Sequence, residues 1–195
     1  MTGHRRRNPE LSRAIETERL LLKPIGKIRA LRYELAINND TELRAQLTHR
    51  IKRKTWLQCY RKGQMPNGRS RFTHEIVVKE NGRAVGIHKI QLMHYRSAVL
   101  AVVILDRNWW GKAVPLEARK AILSYFARHA GVERFTGYVE ARNFASILNY
   151  QKLGFKHSGT MHRANFDETG DRLVDYLYFE LLKDDFPSYF AELEA

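Results

Sequence analysis

Apolar and polar residues alternate along this chain in patterns that predict both strands and helices. Residues 15–25 contain three consecutive leucines and end beside a proline, which is typical of a first strand. Residues 28–64 carry broken apolar stripes at helical spacing. Within that segment we expect residues 38–40 to separate two helices, with Asp40 or Thr41 as the cap of the second.

The clearest strand signals lie in the middle of the chain. Residues 72–79 and 83–93 are rich in β-forming residues and flank a turn that contains Asn81-Gly82. Asn-Gly between two such runs is a strong hairpin signal, because both residue types tolerate positive φ. Residues 98–105 are apolar on both faces, which indicates a strand at the centre of a sheet.

The second half of the chain alternates helices with strands. Pro115 is expected in the first turn of a helix that runs to about Ala130 and is capped by Gly131. Four further elements follow it, namely a strand at 135–139, a helix at 144–153 and strands at 155–160 and 173–182. This order predicts the α+β (mixed α/β) fold class, with a twisted mixed sheet of six to seven strands and helices on both faces.

Length and composition fit one globular domain. The chain has 195 residues, of which 44% are hydrophobic. We expect a flexible basic tail over residues 1–14 and a single domain over residues 15–195. The longest apolar run is too short to cross a bilayer, and no secretory signal follows the N-terminus. Cys59 is the single cysteine and is interpreted as structural, which suits a cytoplasmic protein without a metal site.

Positive charge is concentrated in one stretch of the chain. The net charge is +13, and no Asp or Glu occurs between Glu42 and Glu75, whereas nine Lys and Arg do. A surface of one sign attracts polyanions, so residues 43–74 are a candidate for contact with RNA or an acidic partner. A solvated face that keeps the protein soluble explains the same pattern equally well.

Two segments carry candidate chemistry. The buried strand at 98–105 enters a short loop before the Pro115 helix, and a helix start is a natural seat for phosphate. Gly111 permits close approach of a ligand, and Lys112, Arg119 and Lys120 add positive charge nearby. Most strand-to-helix turns bind nothing, so a plain turn remains an open interpretation. The second segment, residues 143–155, is by itself a capped amphipathic helix that ends at a glycine.

Together these segments resemble the GNAT superfamily, in particular its ribosomal-protein-alanine N-acetyltransferase-like branch. Residues 17–24 (TERLLLKP) resemble the opening strand of that branch. Trp110-Gly111-Lys112, before a helix that contains Glu117-Ala118, resembles its cofactor loop. Residues 143–155 (NFASILNYQKLGF) resemble its second cofactor motif and are the most specific match. The resemblance covers roughly residues 15–185.

The resemblance implies an acyl-CoA-dependent N-acyltransferase that uses acetyl-CoA or another acyl-CoA. The acceptor would be a primary amine of a protein N-terminus or of a small molecule. The cofactor arm would lie in a splay between the strands at 102–105 and 135–139, with its diphosphate on backbone N–H groups of residues 111–116. The implied cofactor-binding residues are Val102, Val103, Ile104, Leu105, Trp110, Gly111, Lys112, Ala113, Val114, Leu116, Asn143, Ser146 and Lys152.

The resemblance also implies catalytic roles. Tyr150 occupies the position of a tyrosine that protonates the departing thiolate, and a phenol is neutral at pH 7 and able to donate. Ser146 is the alternative donor. Glu75 is the candidate base, although a solvent-facing strand residue is the simpler interpretation of it. The rival bases are His74, Asp106 and Asp175.

Two residues depart from the family pattern, which keeps alternative functions open. Ala113 stands where the family commonly has glycine. Pro115 replaces a glycine or alanine and removes one N–H from the phosphate cradle. The alternatives are a GNAT-fold protein whose acceptor or donor is carried by tRNA or the ribosome, and a non-catalytic binding module. The oligomeric state is expected to be a monomer or a homodimer.

Overall fold

The structure is a computed structural model that describes residues 8–43, 55–62, 65–167 and 171–192. It contains one eight-stranded sheet flanked by helices. The strands are β1 (Ile15–Glu16), β2 (Leu20–Pro24), β3 (Arg71–Val78), β4 (Arg83–Leu92), β5 (Ser97–Ile104), β6 (Arg134–Glu140), β7 (Lys156–Phe166) and β8 (Leu173–Leu182). The helices are α1 (Lys27–Asn39), α2 (Trp56–Lys62), α3 (Val114–Ala130), α4 (Phe144–Lys152) and α5 (Tyr189–Glu192).

The strand order is β1-β2-β3-β4-β5-β6-β8-β7, and the predicted mixed α/β class is confirmed. Every neighbouring pair is antiparallel except β5 and β6, which are parallel and joined through α3. The sheet has eight strands rather than six or seven because the segment expected to be one first strand folds back on itself. Thr17 makes the turn, accepting a hydrogen bond from the Leu20 N–H on its Oγ1 (2.9 Å), so that Ile15 pairs with Leu22.

Helices cover both faces of the sheet, as expected. On one face, α3 packs with Ala118, Ile122 and Phe126, all fully buried, so one side of that helix lies in the main core. On the opposite face, Ile37 of α1 packs on Ile87 of β4 in a separate smaller core. None of the helices in the described ranges is long and apolar enough to cross a bilayer.

Local signals placed most element ends correctly. The Asp40 Oδ1 accepts a hydrogen bond from the Leu43 N–H (3.0 Å), which confirms Asp40 as the cap of the second helical segment. Gly131 has a φ of 61° and ends α3. The hairpin of β3 and β4 is also confirmed, but its loop spans Lys79 to Gly82, and only Gly82 has positive φ (67°).

The flexible tail predicted for residues 1–14 is corrected for its described part. Residues Glu10–Ser12 form a 3₁₀ turn that packs on α3. Leu11 is buried in the main core, the Tyr125 hydroxyl donates to the Glu10 carbonyl, and His129 Nδ1 lies 3.2 Å from the Glu10 carboxylate. One apolar side chain and two polar contacts therefore fix this segment. Residues 1–7 lie outside the described ranges.

An unpredicted tight turn joins β4 to β5. Tyr95 and Arg96 both have positive φ (55° and 52°), the mirror-image turn that normally requires glycine or asparagine. The Arg96 carbonyl accepts the Glu133 N–H (2.8 Å), and the Arg96 guanidinium forms an ion pair with the Glu133 carboxylate (2.6 Å). These contacts hold a conformation that the two residues disfavour by themselves.

Because Tyr95 is exposed and left-handed, Tyr95→Asn is expected to raise the free energy of unfolding by about 0.5–1 kcal/mol. Asparagine tolerates this backbone conformation better than tyrosine does. Urea denaturation of both proteins measures the difference. Tyr95→Ala removes the same ring and keeps the strain, so equal stabilities for the Asn and Ala variants would contradict the account.

Candidate functional site

A gap opens in the sheet where β5 and β6 part. The two strands pair over three residues each, from Ser97 with Arg134 to Val99 with Thr136. Beyond that point β5 continues with β4 as far as Ile104, and β6 continues with β8 as far as Glu140. Since each strand follows a different neighbour, the strands diverge and leave a splay, as the resemblance implied.

The splay opens into a groove of about 800 Å³, a volume that suits a large organic ligand. The groove runs from the start of α3, across β5, to α4. Its lining residues are Leu43, Val102, Val103, Ile104, Trp110, Gly111, Ala113, Pro115, Leu116, Arg119, Glu140, Arg142, Asn143, Phe144, Ala145, Ser146, Leu148, Asn149 and Lys152.

Ten of the thirteen implied cofactor residues line this groove, and three do not. Val114 points into the main core and is fully buried. The Lys112 ammonium lies 4.8 Å from the Trp109 ring centre, and Leu105 packs against the smaller core. Lys112 lies in the loop before α3 and Val114 is the first residue of that helix, and neither side chain lines the groove.

The start of α3 presents backbone N–H groups to the groove. Gly111 and Ala113 have positive φ (75° and 58°), and these two left-handed residues redirect the chain just before α3 begins. The first bond of the helix joins the Glu117 N–H to the Ala113 carbonyl (3.1 Å), so the N–H groups of Val114 and Leu116 have no acceptor within the helix. Pro115 lies between them and contributes no N–H. The result is an anion seat with one fewer donor than usual.

Glu117 connects the start of α3 to the turn between β1 and β2 by hydrogen bonds. Its carboxylate accepts hydrogen bonds from the Thr17 hydroxyl (2.6 Å), the Arg19 N–H (3.0 Å) and the Arg19 Nε (2.7 Å). The Arg19 guanidinium also donates to the Lys112 carbonyl (3.3 Å). Partial burial opposes ionisation of Glu117, but the bonds from Thr17 and Arg19 outweigh it and lower the pKa of this carboxyl. The turn at Thr17 and Arg19 and the start of α3 are thus held together by hydrogen bonds, although about a hundred residues separate them in the sequence.

Helix α4 forms the opposite wall of the groove. Asn143 accepts the Ser146 N–H on its Oδ1 (3.0 Å), so that oxygen caps the helix. Ser146 and Lys152 line the groove as implied. Phe144 and Leu148 are exposed apolar side chains on the same wall, and the sequence analysis missed them because their spacing matches an ordinary core stripe.

Tyr150 is not one of the groove-lining residues. It is 2% exposed and stacks on Phe179, with ring centres 5.1 Å apart. Its hydroxyl lies so close to Gly137 that a Cβ added there would be 1.9 Å from the oxygen. Gly137 is the first residue of β6 beyond the last pair with β5. The phenol therefore lies at the closed end of the splay, on the face that α3 covers.

Glu75, the candidate base, is engaged elsewhere. It is buried, so the simpler interpretation of a solvent-facing residue is wrong. Its carboxylate pairs with Arg29 (2.6 Å) and accepts the Tyr33 hydroxyl (2.5 Å), and burial together with that bond raises the pKa of Tyr33. Through the register with Ile87, Glu75 lies two strands, or about 10 Å, from Val103 in the groove.

The rival bases also lie outside the groove lining. His74 is fully buried, and burial lowers its pKa to about 4. Asp106 accepts the Asn108 N–H (3.1 Å) and caps a 3₁₀ turn. Asp175 accepts the Arg163 N–H (2.8 Å) and pairs with His162, which lower the pKa of this carboxyl.

Glu140 is the carboxylate that the groove does contain, and the sequence analysis did not single it out. It is 2% exposed and lines the groove at the end of β6. The Arg142 Nε donates to its Oε1, whereas its buried Oε2 has no hydrogen-bond partner among the described residues. Tyr138 shares this face of β6 and packs on Tyr178, with ring centres 5.1 Å apart. An unsatisfied carboxylate beside two aromatic rings is suited to a cation.

The chain matches the family model described as an acetyltransferase (GNAT) domain over residues 19–156. No curated protein sequence matches it. Among solved structures, the chain is similar to RimJ of Mycobacterium smegmatis in complex with CoA-disulfide (TM-score 0.72, 16% identity, 95% of this chain and 95% of that chain).

Two further solved structures are similar to this chain. One is spermidine N-acetyltransferase from Vibrio cholerae in complex with CoA and spermine (TM-score 0.71, 15% identity, 87% of this chain and 98% of that chain). The other is ribosomal-protein-S5-alanine acetyltransferase from Vibrio fischeri (TM-score 0.69, 14% identity, 90% of this chain and 99% of that chain). At these identities the structures establish the fold.

Loss of the Glu117 charge is expected to destabilise the protein in a pH-dependent way. Because its folded pKa lies below the ordinary value of 4.5, its stabilisation is complete above that value and is lost as the pH falls through the folded pKa. Glu117→Gln should lower the free energy of unfolding by about 2 kcal/mol near pH 7, and the difference should narrow in acid.

Denaturant titrations of wild type and variant between about pH 7 and pH 3 measure this difference. Glu18→Gln is the matched control, since it removes one exposed negative charge from the turn that holds Thr17 and Arg19, the partners of Glu117. A Glu117→Gln deficit that stays constant with pH would contradict the assignment.

Proposed function

This chain belongs to the GNAT acetyltransferase family, and from that premise we propose that it transfers an acetyl group from acetyl-CoA to a primary amine that binds as a cation. As a member of the family it is an acyl-CoA-dependent N-acetyltransferase. The observation that carries the finer proposal is the groove itself. It has an anion seat at one end and the unsatisfied Glu140 carboxylate on the opposite face of the sheet.

The α3 end of the groove supports the choice of a CoA thioester. The N–H groups of Val114 and Leu116 would hold the diphosphate, and the positive end of the helix dipole favours that charge. Unpaired backbone groups of β5 beyond Val99 would hold the amides of the pantetheine arm. Pro115 removes one donor, so a modest affinity for the cofactor is expected. Ser146 and Lys152 complete the wall on α4.

The opposite face supports a cationic acceptor. A primary amine is protonated near pH 7 and must lose a proton before it attacks a carbonyl carbon. The free Oε2 of Glu140 is an acceptor for such an ammonium, and the rings of Tyr138 and Tyr178 favour positive charge beside it. A polyamine and a protein N-terminus both meet this requirement. The names of two similar structures include spermidine and an alanine of ribosomal protein S5.

The reaction forms an N–C bond and breaks the C–S bond of the thioester. The ammonium nitrogen loses two protons in all, of which one is released to solvent and the other balances the proton that the sulfur gains. Glu140 would take the proton from the acceptor nitrogen. Tyr150 would return a proton to the sulfur from the closed end of the splay, where its hydroxyl faces Gly137. Ser146 lines the groove and is the alternative donor. Neither role requires a metal ion.

The sequence-based link to RNA gains no support from the site. Much of the acid-free stretch, residues 44–54 and 63–64, lies outside the described ranges. Of that stretch, the described residues Arg61, Arg69 and Arg71 do not line the groove. An RNA partner, a cytoplasmic location and the choice between monomer and homodimer remain predictions from the sequence.

Calorimetry with CoA and acetyl-transfer assays over a panel of polyamines and N-terminal peptides test the proposed function. Glu140→Gln should bind CoA as wild type does and lose roughly 100-fold or more in kcat/KM for the amine, because the base is absent. Glu75→Gln is the matched control on the same face of the sheet. It should lose stability through its broken contacts with Arg29 and Tyr33 and keep its rate of transfer.

Failure of the wild-type protein to bind CoA would reject the proposed function as a whole. A Glu140→Gln variant with wild-type kcat/KM, or a Glu75→Gln variant that loses activity while remaining folded, would reject Glu140 as the base.

Tyr150→Phe and Ser146→Ala separate the two candidate proton donors. Phenylalanine keeps the packing on Phe179 and Phe155 and removes only the hydroxyl. If Tyr150 is the donor, Tyr150→Phe should lower kcat by roughly 100-fold and Ser146→Ala should have little effect. Steady-state kinetics with acetyl-CoA measure both. The reverse order of effects would assign the role to Ser146.

A further inference from the structure

Arg119 is a buried cation at the groove. It extends from α3, is only 4% exposed, and its side chain lines the groove. Its guanidinium lies over the ring of Tyr150, 4.4 Å from the ring centre. Its Nε and Nη1 are buried and have no hydrogen-bond partner within the described ranges. A guanidinium carries its charge at any physiological pH, so this side chain brings unmatched positive charge into the protein interior.

The groups packed around Arg119 do not balance that charge. His88 of β4 and His74 of β3 lie directly opposite each other on the face that α3 covers. Burial lowers the pKa of His88 well below its ordinary value, with Arg119 and His74 adding to the effect, and burial lowers the pKa of His74 to about 4. Both rings are therefore neutral near pH 7. Glu140 lines the same groove, but the alternation along β6 directs it to the opposite face from Gly137.

The position of Arg119 on α3 determines which part of a bound CoA thioester would contact its side chain. The diphosphate seat lies at the first turn of α3, whereas Arg119 follows it by about a turn and reaches toward the sheet. There the guanidinium lies over Tyr150, whose hydroxyl faces Gly137 at the closed end of the splay. The reacting end of the cofactor arm, rather than its diphosphate, belongs at this point.

We propose that Arg119 is an anion-binding residue for the departing sulfur of the CoA thioester. When the acceptor nitrogen bonds to the carbonyl carbon, the electron pair of the broken C–S bond stays on sulfur. The positive charge of the Arg119 guanidinium stabilises that negative charge until the proton from Tyr150, or from Ser146, reaches the sulfur. The same guanidinium, lying over the Tyr150 ring, favours the phenolate that this transfer leaves behind. The inference rests on the proposed function.

Free CoA offers a test that does not depend on turnover. A positive group at the sulfur favours the thiolate, so the thiol pKa of CoA bound to wild type should fall at least about one unit below the thiol pKa of free CoA measured in the same buffer. Thiolate absorbance of the binary complex across a pH titration measures this pKa. Arg119→Met, a flexible side chain of similar length that keeps contact with the Tyr150 ring, should return it to the value of free CoA.

Calorimetry with CoA and with desulfo-CoA, which lacks only the sulfur, locates the contact. Above the thiol pKa of free CoA, Arg119→Met should bind CoA about tenfold more weakly than wild type and bind desulfo-CoA equally well. Lys152→Met is the matched control. It removes a cation from the α4 wall of the groove. Its effect on the affinity for CoA should equal its effect on the affinity for desulfo-CoA. Thermal melting verifies folding, and Arg119→Lys, which retains the charge, should give an intermediate thiol pKa if the Met variant does not fold.

Three outcomes would overturn the inference. If Arg119→Met lowers the affinities for CoA and desulfo-CoA equally, Arg119 either contacts the diphosphate or serves only to stabilise the fold. An unshifted thiol pKa in wild type would remove the contact with sulfur. A wild-type preference for a dicarboxylic acyl-CoA over acetyl-CoA that is lost in Arg119→Met would assign the residue to the acyl chain. Binding of desulfo-CoA by wild type separates these failures from a failure of the proposed function, in which neither ligand binds.

Discussion

The separation of β5 and β6 is the constraint on which the rest of this structure depends. β5 pairs with β4 and β6 pairs with β8 both before and beyond Val99 and Thr136, but the pairing between β5 and β6 stops at those residues. Beyond that point each strand has one unpaired edge, and the two unpaired edges line the gap. The gap leaves polar backbone groups facing an open groove, which a ligand with amide groups is able to satisfy.

The backbone is strained where the groove meets the start of α3. Ala113 adopts a left-handed conformation where a glycine would be relaxed, and Pro115 removes a donor from the helix start. The bonds from Thr17 and Arg19 to Glu117 hold this strained loop in place. Rigidity of the loop then depends on the first strands of the sheet, which lie far away along the chain.

The sheet also separates two electrostatic environments. On the α3 face, Arg119 brings positive charge beside Tyr150 and two neutral histidines. On the other face, the Oε2 of Glu140 has no hydrogen-bond partner among the described residues, and the exposed Tyr138 packs on Tyr178. An anionic leaving group and a cationic acceptor would thus approach the splay from opposite sides, each toward the charge that attracts it. Since burial removes water from both side chains, their effect on a bound substrate is larger than that of surface charges.

Local chemistry in the sequence by itself determined most of the elements, and the family resemblance implied the course of the groove. Some signals determine the conformation of only a few neighbouring residues, and the elements they specify were therefore predictable. They are Asn81-Gly82 for the hairpin, Gly131 for the helix cap and residues 143–155 for the helix. Tertiary structure alone decided which side chains reach the groove. Glu75 pairs with an arginine from α1, and Tyr150 turns into the core against Gly137. Glu140 pairs through its Oε1 with Arg142, whereas its Oε2 and two nitrogens of the Arg119 guanidinium have no hydrogen-bond partner among the described residues. The physical reason is that the packing and pairing of these side chains depend on distant segments, which the spacing of residues along one element does not specify.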